Sequence, residues 1–203
     1  MRFVFVLGIL IFLDAPTFAE EVQSSATATT TIPVAPEVKI PPAQKRAQEL
    51  DKLLARLHRV PHVMDISKTE ADIWALWSQN DSPTAVVLLR ESSAAIDAGD
   101  YDPAEQMLSQ LLETYPDFAE GWNRRSALYY AMKRYDAAMV DVEHALSLEP
   151  RNFGAFIGKG MILRAQGKSD EAIAALNEAL AINPHLVSVR DTIKLIEKET
   201  PHI

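Results

Sequence analysis

Three consecutive blocks decide the fold: residues 85–118, AVVLLRESSAAIDAGDYDPAEQMLSQLLETYPDF; residues 119–152, AEGWNRRSALYYAMKRYDAAMVDVEHALSLEPRN; and residues 153–186, FGAFIGKGMILRAQGKSDEAIAALNEALAINPHL. Each is 34 residues long, and written one under another they agree by column. Pro116, Pro150 and Pro184 share one column, and Ala104, Ala138 and Ala172 share another. The same step links Leu112, Leu146 and Leu180, then Leu108, Val142 and Leu176, then Ser92, Ser126 and Gly160. A period of this length marks a helix–turn–helix unit that is stacked on copies of itself. No single unit can bury its own apolar face, so stacking makes the core.

Each block supplies a first helix, a short turn and a second helix. The turns are Gly99-Asp100-Tyr101-Asp102, Lys133-Arg134-Tyr135-Asp136 and Gly167-Lys168-Ser169-Asp170. Gly99 and Gly167 suit a helix end that closes in the left-handed conformation. Asp102, Asp136 and Asp170 place a carboxylate where the next helix begins, which its dipole favours. The small residues at 92, 126 and 160 let the two helices of a block approach, and the alanines at 104, 138 and 172 do the same from the other side. Leu88, Trp122 and Phe156 supply bulk beside them.

The middle block reads Trp122, Arg125-Ser126, Tyr129, Ala138, Val142 and Pro150, and this pattern resembles the tetratricopeptide repeat. The resemblance extends to the third block through Phe156, Gly160, Leu163, Ala172, Leu176 and Pro184, and to the first through Leu88, Ser92, Ala95, Ala104, Leu108 and Pro116. It implies an all-α, right-handed superhelical solenoid of three helix–turn–helix repeats. All three blocks carry a charge, Glu91, Arg125 or Lys159, where the family pattern has leucine. If neighbouring first helices align, Glu91 and Arg125 can pair.

In that family the first helices of successive repeats line a concave surface that takes a partner peptide. The resemblance places Leu89, Ser93 and Ile96 there from the first repeat, Asn123, Ala127 and Tyr130 from the second, and Ile157, Met161 and Arg164 from the third. Each trio has spacings of four and three, so it shares one helix face. On this reading Asn123 hydrogen-bonds a peptide backbone, Tyr130 packs an apolar side chain and Arg164 holds a carboxylate. Some members clamp a terminal carboxylate with a ring of Lys and Asn. Here Leu89, Ala127 and Ile157 are apolar, so a mixed apolar and polar groove is expected. The competing reading makes several of these residues core or plain solvent-facing surface.

The flanks complete the plan. Met1–Ala19 reads as an export signal: Arg2, then the apolar run from Phe3 to Leu13, then Thr17-Phe18-Ala19 before a cut at Glu20. Spanning a membrane takes about 20 apolar residues, and Asp14 ends this run early. Residues 20–42, rich in Ala, Thr, Pro and Val, read as a flexible linker. Residues 43–84 read as an N-terminal helical pair, a degenerate repeat. Its first helix, Ala43 to Val60, has an apolar stripe of Ala47, Leu50, Leu53, Leu54 and Leu57. Lys45, Arg46, Lys52, Arg56 and Arg59 make the opposite face basic, the pattern of a helix that can lie on an anionic membrane or simply face water. Its second, Ser67 to Gln79, is expected to start with a capping box of Ser67 and Glu70. Trp74 and Trp77 are expected to close the N-terminal end of the repeat core. Residues 187–203 hold the capping segment, whose helix reads from His185 to Glu199 with Leu186, Val189, Ile193 and Ile196 inward.

Composition narrows the function. A net charge of −8 over 203 residues, with a pI near 5.1, lacks the basic footprint of a nucleic-acid binder. No cysteine means no disulfide, thiolate metal site or cysteine nucleophile. Gly158-Lys159-Gly160 fails as a phosphate loop, because Gly154 is one residue too close and Gly160 replaces the hydroxyl residue. His58 and His62 have a metal-like spacing, but Pro61 falls between them. No Gly-x-Ser-x-Gly elbow is present. No catalytic residue, cofactor or metal is expected, and the sequence carries no signature of oligomeric state. The expectation is an exported, non-enzymatic adaptor, in a bacterial periplasm, that holds a partner protein or peptide. The alternative is an envelope-associated assembly factor acting through its basic first helix or through self-association.

Overall fold

The computed structural model describes residues 42–60 and 62–199. The export signal, all of the linker but Pro42, and Pro61 lie outside them. Among the described residues there are nine helices and no strand. The repeats supply α3 (Pro83–Ala98) with α4 (Tyr101–Thr114), α5 (Ala119–Ala131) with α6 (Tyr135–Leu148), and α7 (Phe153–Ala165) with α8 (Ser169–Ile182). Before them come α1 (Pro42–Leu57) and α2 (Val63–Trp77), and after them α9 (Val187–Glu199). No described helix is long and apolar enough to cross a membrane.

The repeated columns turn inward as their chemistry requires. Ala104, Leu108, Ala138, Val142, Ala172 and Leu176 are all fully buried. A Cβ at Gly160 would stand 2.7 Å from Leu176 Cγ, so the third repeat closes only with glycine there. In the second repeat Ser126 occupies that column, and its Oγ donates to Ala138 O at 2.8 Å. The turns share one device. Gly99 and Gly167 sit at φ 82° and 77°, and Lys133, their counterpart in the middle repeat, takes the same left-handed conformation at φ 59°.

Glu91 and Arg125 do not pair with each other. Arg125 forks onto Asp141 of α6, with Nε and Nη2 at 2.7 and 2.9 Å from the two carboxylate oxygens. Glu91 pairs with its neighbour Arg90, and Lys159 reaches back to Glu143. The reason is Asp141: it is 2 % exposed, and a buried carboxylate requires a cation nearby. The same contact holds the Arg125 guanidinium above its ordinary pKa. Arg125 also stacks over the Trp122 ring at 4.9 Å.

The N-terminal pair departs furthest from expectation. α2 begins at Val63 with His62 at its cap, and Ser67 lies inside the helix, so the Ser67–Glu70 capping box does not form. Asp65 in the first turn meets the helix dipole instead. Nor do Trp74 and Trp77 close the start of the stack. They pack edge to face on Phe153, the first residue of α7, with ring centroids 5.5 and 5.0 Å away. Leu50, Leu57, Ile73 and Trp77 form one core cluster with Phe153 and Ala179, against which Ile182 and Leu186 also pack. Polar contacts fix the same docking. Asn183 Nδ2 donates to Glu70 Oε1 at 2.7 Å, His185 Nε2 lies 2.8 Å from Leu57 O, and Arg151 pairs with Asp51. Leu50 and Leu57 of the α1 stripe are therefore buried against the third repeat, with Leu53 and Leu54 half-buried beside them, while Ala47 stays exposed.

Candidate functional site

The first helices α5 and α7 present their open face to α2, and a cavity of about 270 Å³ lies between the three. Asn123 and Ala127 of α5, spaced by four, stand on one wall with Tyr130 three residues on. Met161 and Ile162 of α7 form the facing wall, where Gly154 and Gly158 leave the helix backbone uncovered. Trp74 closes one side. Its ring rests on Gly154, where any Cβ would overlap Trp74 Cη2. The glycine is thus the seat for the indole.

One charged side chain, Arg124, reaches the cavity. Its Nη2 donates to Glu120 Oε1 at 2.7 Å, and Asn123 Nδ2 donates to Glu120 Oε2 at 2.9 Å. Glu120 is 1 % exposed and stands in the first turn of α5, where the helix dipole favours a carboxylate. Both Glu120 oxygens are engaged, so the carboxylate orients Arg124 and Asn123. Arg124 Nε is buried and has no hydrogen-bond partner among the described residues. The cavity therefore offers apolar walls (Trp74, Ala127, Tyr130, Met161) and one unmatched donor. It suits an apolar side chain with a neighbouring carbonyl or carboxylate.

Four of the nine residues expected from the sequence meet here: Asn123, Ala127, Tyr130 and Met161. The other five do not. Leu89 is 4 % exposed inside the first repeat's core, packed with Leu108, Leu111 and Leu128, and presents no surface. Ile96 packs against the same cluster, and Ser93 returns its hydroxyl to Leu89 O at 2.8 Å. Ile157 packs between the clusters of the third repeat and the N-terminal pair. Arg164 does hold a carboxylate, but that of Glu199 on α9, at 3.0 Å. Sequence reasoning missed Trp74, Arg124, Gly154 and Gly158. Gly154 and Gly158 are spaced by four on one helix face, a signal that marked the open wall; the partner helix that uses it carries none.

No group of three or more metal-ligating side chains occurs among the described residues, and His58 and His62 are both exposed.

Comparison with known proteins places these features in context. Two tetratricopeptide-repeat family models match, over residues 89–146 and 129–188. A TPR repeat-containing protein of Rhizobium etli is 30 % identical over 152 residues, which span 75 % of this chain and 74 % of that protein. The small glutamine-rich tetratricopeptide repeat-containing protein 2 of Saccharomyces cerevisiae is 29 % identical over 68 % of this chain, which spans 40 % of its length. Among solved structures, the first TPR of Spaghetti (RPAP3) bound to the HSP90 peptide SRMEEVD superposes with a TM-score of 0.56. That match has 22 % identity over 59 % of this chain and 94 % of the other.

Proposed function

This chain belongs to the tetratricopeptide-repeat family, and we propose that it is a protein-interaction adaptor whose partner inserts an apolar side chain between α5 and α7. The observation that carries this reading is the cavity itself. It combines an aromatic and aliphatic lining with an unmatched Arg124 donor on a rigid two-helix frame. The peptide complex of similar fold supports it as precedent for peptide binding by such a solenoid. The chemistry of the partner differs, since no lysine stands among the residues lining the cavity to build the ring of Lys and Asn that clamps a terminal carboxylate. In this reading the protein catalyses no reaction, and Glu120, the carboxylate beside the cavity, has a structural task.

The test is a pull-down with wild type beside the Asn123→Ala, Tyr130→Ala double variant, with bound proteins identified by mass spectrometry. A partner retained by wild type should bind the folded variant at least about tenfold more weakly, the loss typical of central interface side chains. A partner held equally by both would move the function to another surface. Membrane docking through α1 is less favoured, because Leu50 and Leu57, which would have to enter the lipid, are buried in the core.

The same reading puts the adaptor outside the cytoplasm, in a periplasm, on the strength of Met1–Ala19. The exported protein should begin at Glu20 when its N-terminus is sequenced. A chain that retains Met1 and fractionates with cytoplasmic proteins would refute export.

A further inference from the structure

Three residues along α2 from Trp74, Trp77 borders a second cavity of about 270 Å³, and this one carries unmatched chemistry of its own. It lies between the N-terminal pair, the loops that precede α5 and α7, and the end of α6. Two of its side chains hold a buried donor with no hydrogen-bond partner among the described residues: Trp77 Nε1 and Asn152 Nδ2. Trp77 is 9 % exposed and Asn152 1 %. Neither donor is ambiguous. An indole N–H can only donate. Asn152 caps α7, its Oδ1 accepting from Ala155 N at 3.0 Å, so its orientation is fixed and its amide NH₂ is left over. A buried donor left unmatched is uncommon and calls for an acceptor.

The rest of the lining says what kind. The carboxylates Glu120 and Glu149 already hold Asn123, Arg124 and Arg151, and Arg46 pairs with Asp81. With those pairs matched, the charge left over in the lining is that of the Asp117 carboxylate, which disfavours an anion. Leu50, Leu76, Phe118 and Leu148 supply apolar wall. We infer that this cavity is a binding site for a neutral carbonyl group carried on an apolar body, the chemistry of an uncharged peptide amide. Trp77 Nε1 and Asn152 Nδ2 both donate to it. The site is separate from the cavity bounded by Trp74 and stands or falls independently of it.

The experiment uses the full chain with its three tryptophans 15N-labelled, so that each indole N–H gives its own NMR signal. Trp77→Phe identifies the Trp77 signal by its loss. The probes are N-acetyl-leucine N-methylamide, which is neutral, and N-acetyl-leucine, the same body with a carboxylate. The neutral amide should move the Trp77 signal saturably in the millimolar range, and the carboxylate at least tenfold less tightly. Asn152→Asp keeps the helix cap while removing the second donor, and should weaken the amide at least fivefold in a chain of unchanged helicity. Three results would overturn the site: no saturable shift at Trp77, which would mean that ordered water alone meets the donors; equal binding of both probes; or a shift confined to Trp74.

Discussion

Replacing Phe153 by alanine should destabilise the protein by about 3–5 kcal/mol, the range for removing a fully buried aromatic ring. Phe153 is 2 % exposed, and it touches both Trp74 and Trp77 in edge-to-face geometry. Such pairs add about 0.5–1.5 kcal/mol beyond the area they bury. The loss should also be localised. Phe153 belongs to the cluster that joins Leu50, Leu57 and Ile73 to the third repeat, whereas Tyr129, Ala138 and Val142 form a separate cluster that reaches α7 only through Ala155 and Ile162. Urea unfolding gives the magnitude. Hydrogen exchange should show α1 and α2 losing protection first, with α5 and α6 retaining theirs. A cost below about 1 kcal/mol, with α1 and α2 still protected, would mean that the aromatic trio does not hold the N-terminal pair in place.

Asp141→Ala is the second large effect, and its interest lies in the partner left behind. The substitution strands the Arg125 guanidinium, whose side chain is only 16 % exposed, without its forked acceptor. Breaking a buried pair from one side costs about 3–5 kcal/mol, because the remaining charge is uncompensated. Replacing both residues is a different matter. Arg125→Leu restores the leucine of the family pattern, and with Asp141→Ala it removes the charge that needed solvation. The double variant should recover most of the loss, as is common when buried pairs become apolar. Urea unfolding of the two single variants and the double variant measures this coupling. A single variant within about 1 kcal/mol of wild type, or a double variant no better than Asp141→Ala, would contradict the account.

What was legible in the sequence was whatever repeats. The columns of Ala104, Ala138 and Ala172, of Leu108, Val142 and Leu176, and of the turn residues at 99, 133 and 167 recur at one step, and each recurs in the structure at one kind of position. Lys133 shows how far the column outweighs the residue: it takes the glycine conformation because its neighbours in the stack require that turn. Contacts made once have no such signature. Trp74 meets Gly154 across eighty positions of chain, and nothing periodic in α2 announces that partner. The burial of Leu89, expected from the sequence to line the groove, has a related reason. Leu88 and Leu89 are adjacent and both apolar, so spacing alone does not say which turns inward; in the structure Leu89 is buried and Leu88 packs only partly. Arg164 is expected from the sequence to hold a partner's carboxylate, and in the structure it pairs with Glu199 of α9.

In the proposed reading, the N-terminal pair also limits what can enter between α5 and α7. With Trp74 seated on Gly154, part of α7 is covered by the chain itself, and the remaining opening is bounded by α2 on one side. Such a site suits one anchoring side chain better than a long segment laid across all three repeats. The N-terminal pair thereby shapes the site rather than merely extending the stack.

The most direct test of partner binding between α5 and α7 is site-specific photocrosslinking in the producing cells. A benzophenone amino acid would replace Ala127, which is exposed and lines the cavity, and in a control chain Val140, which is 66 % exposed on α6 and outside it. The account predicts a discrete crosslinked partner from position 127, lost when Tyr130→Ala is added, and none from position 140. The same adduct from both positions, or one from 140 alone, would contradict it.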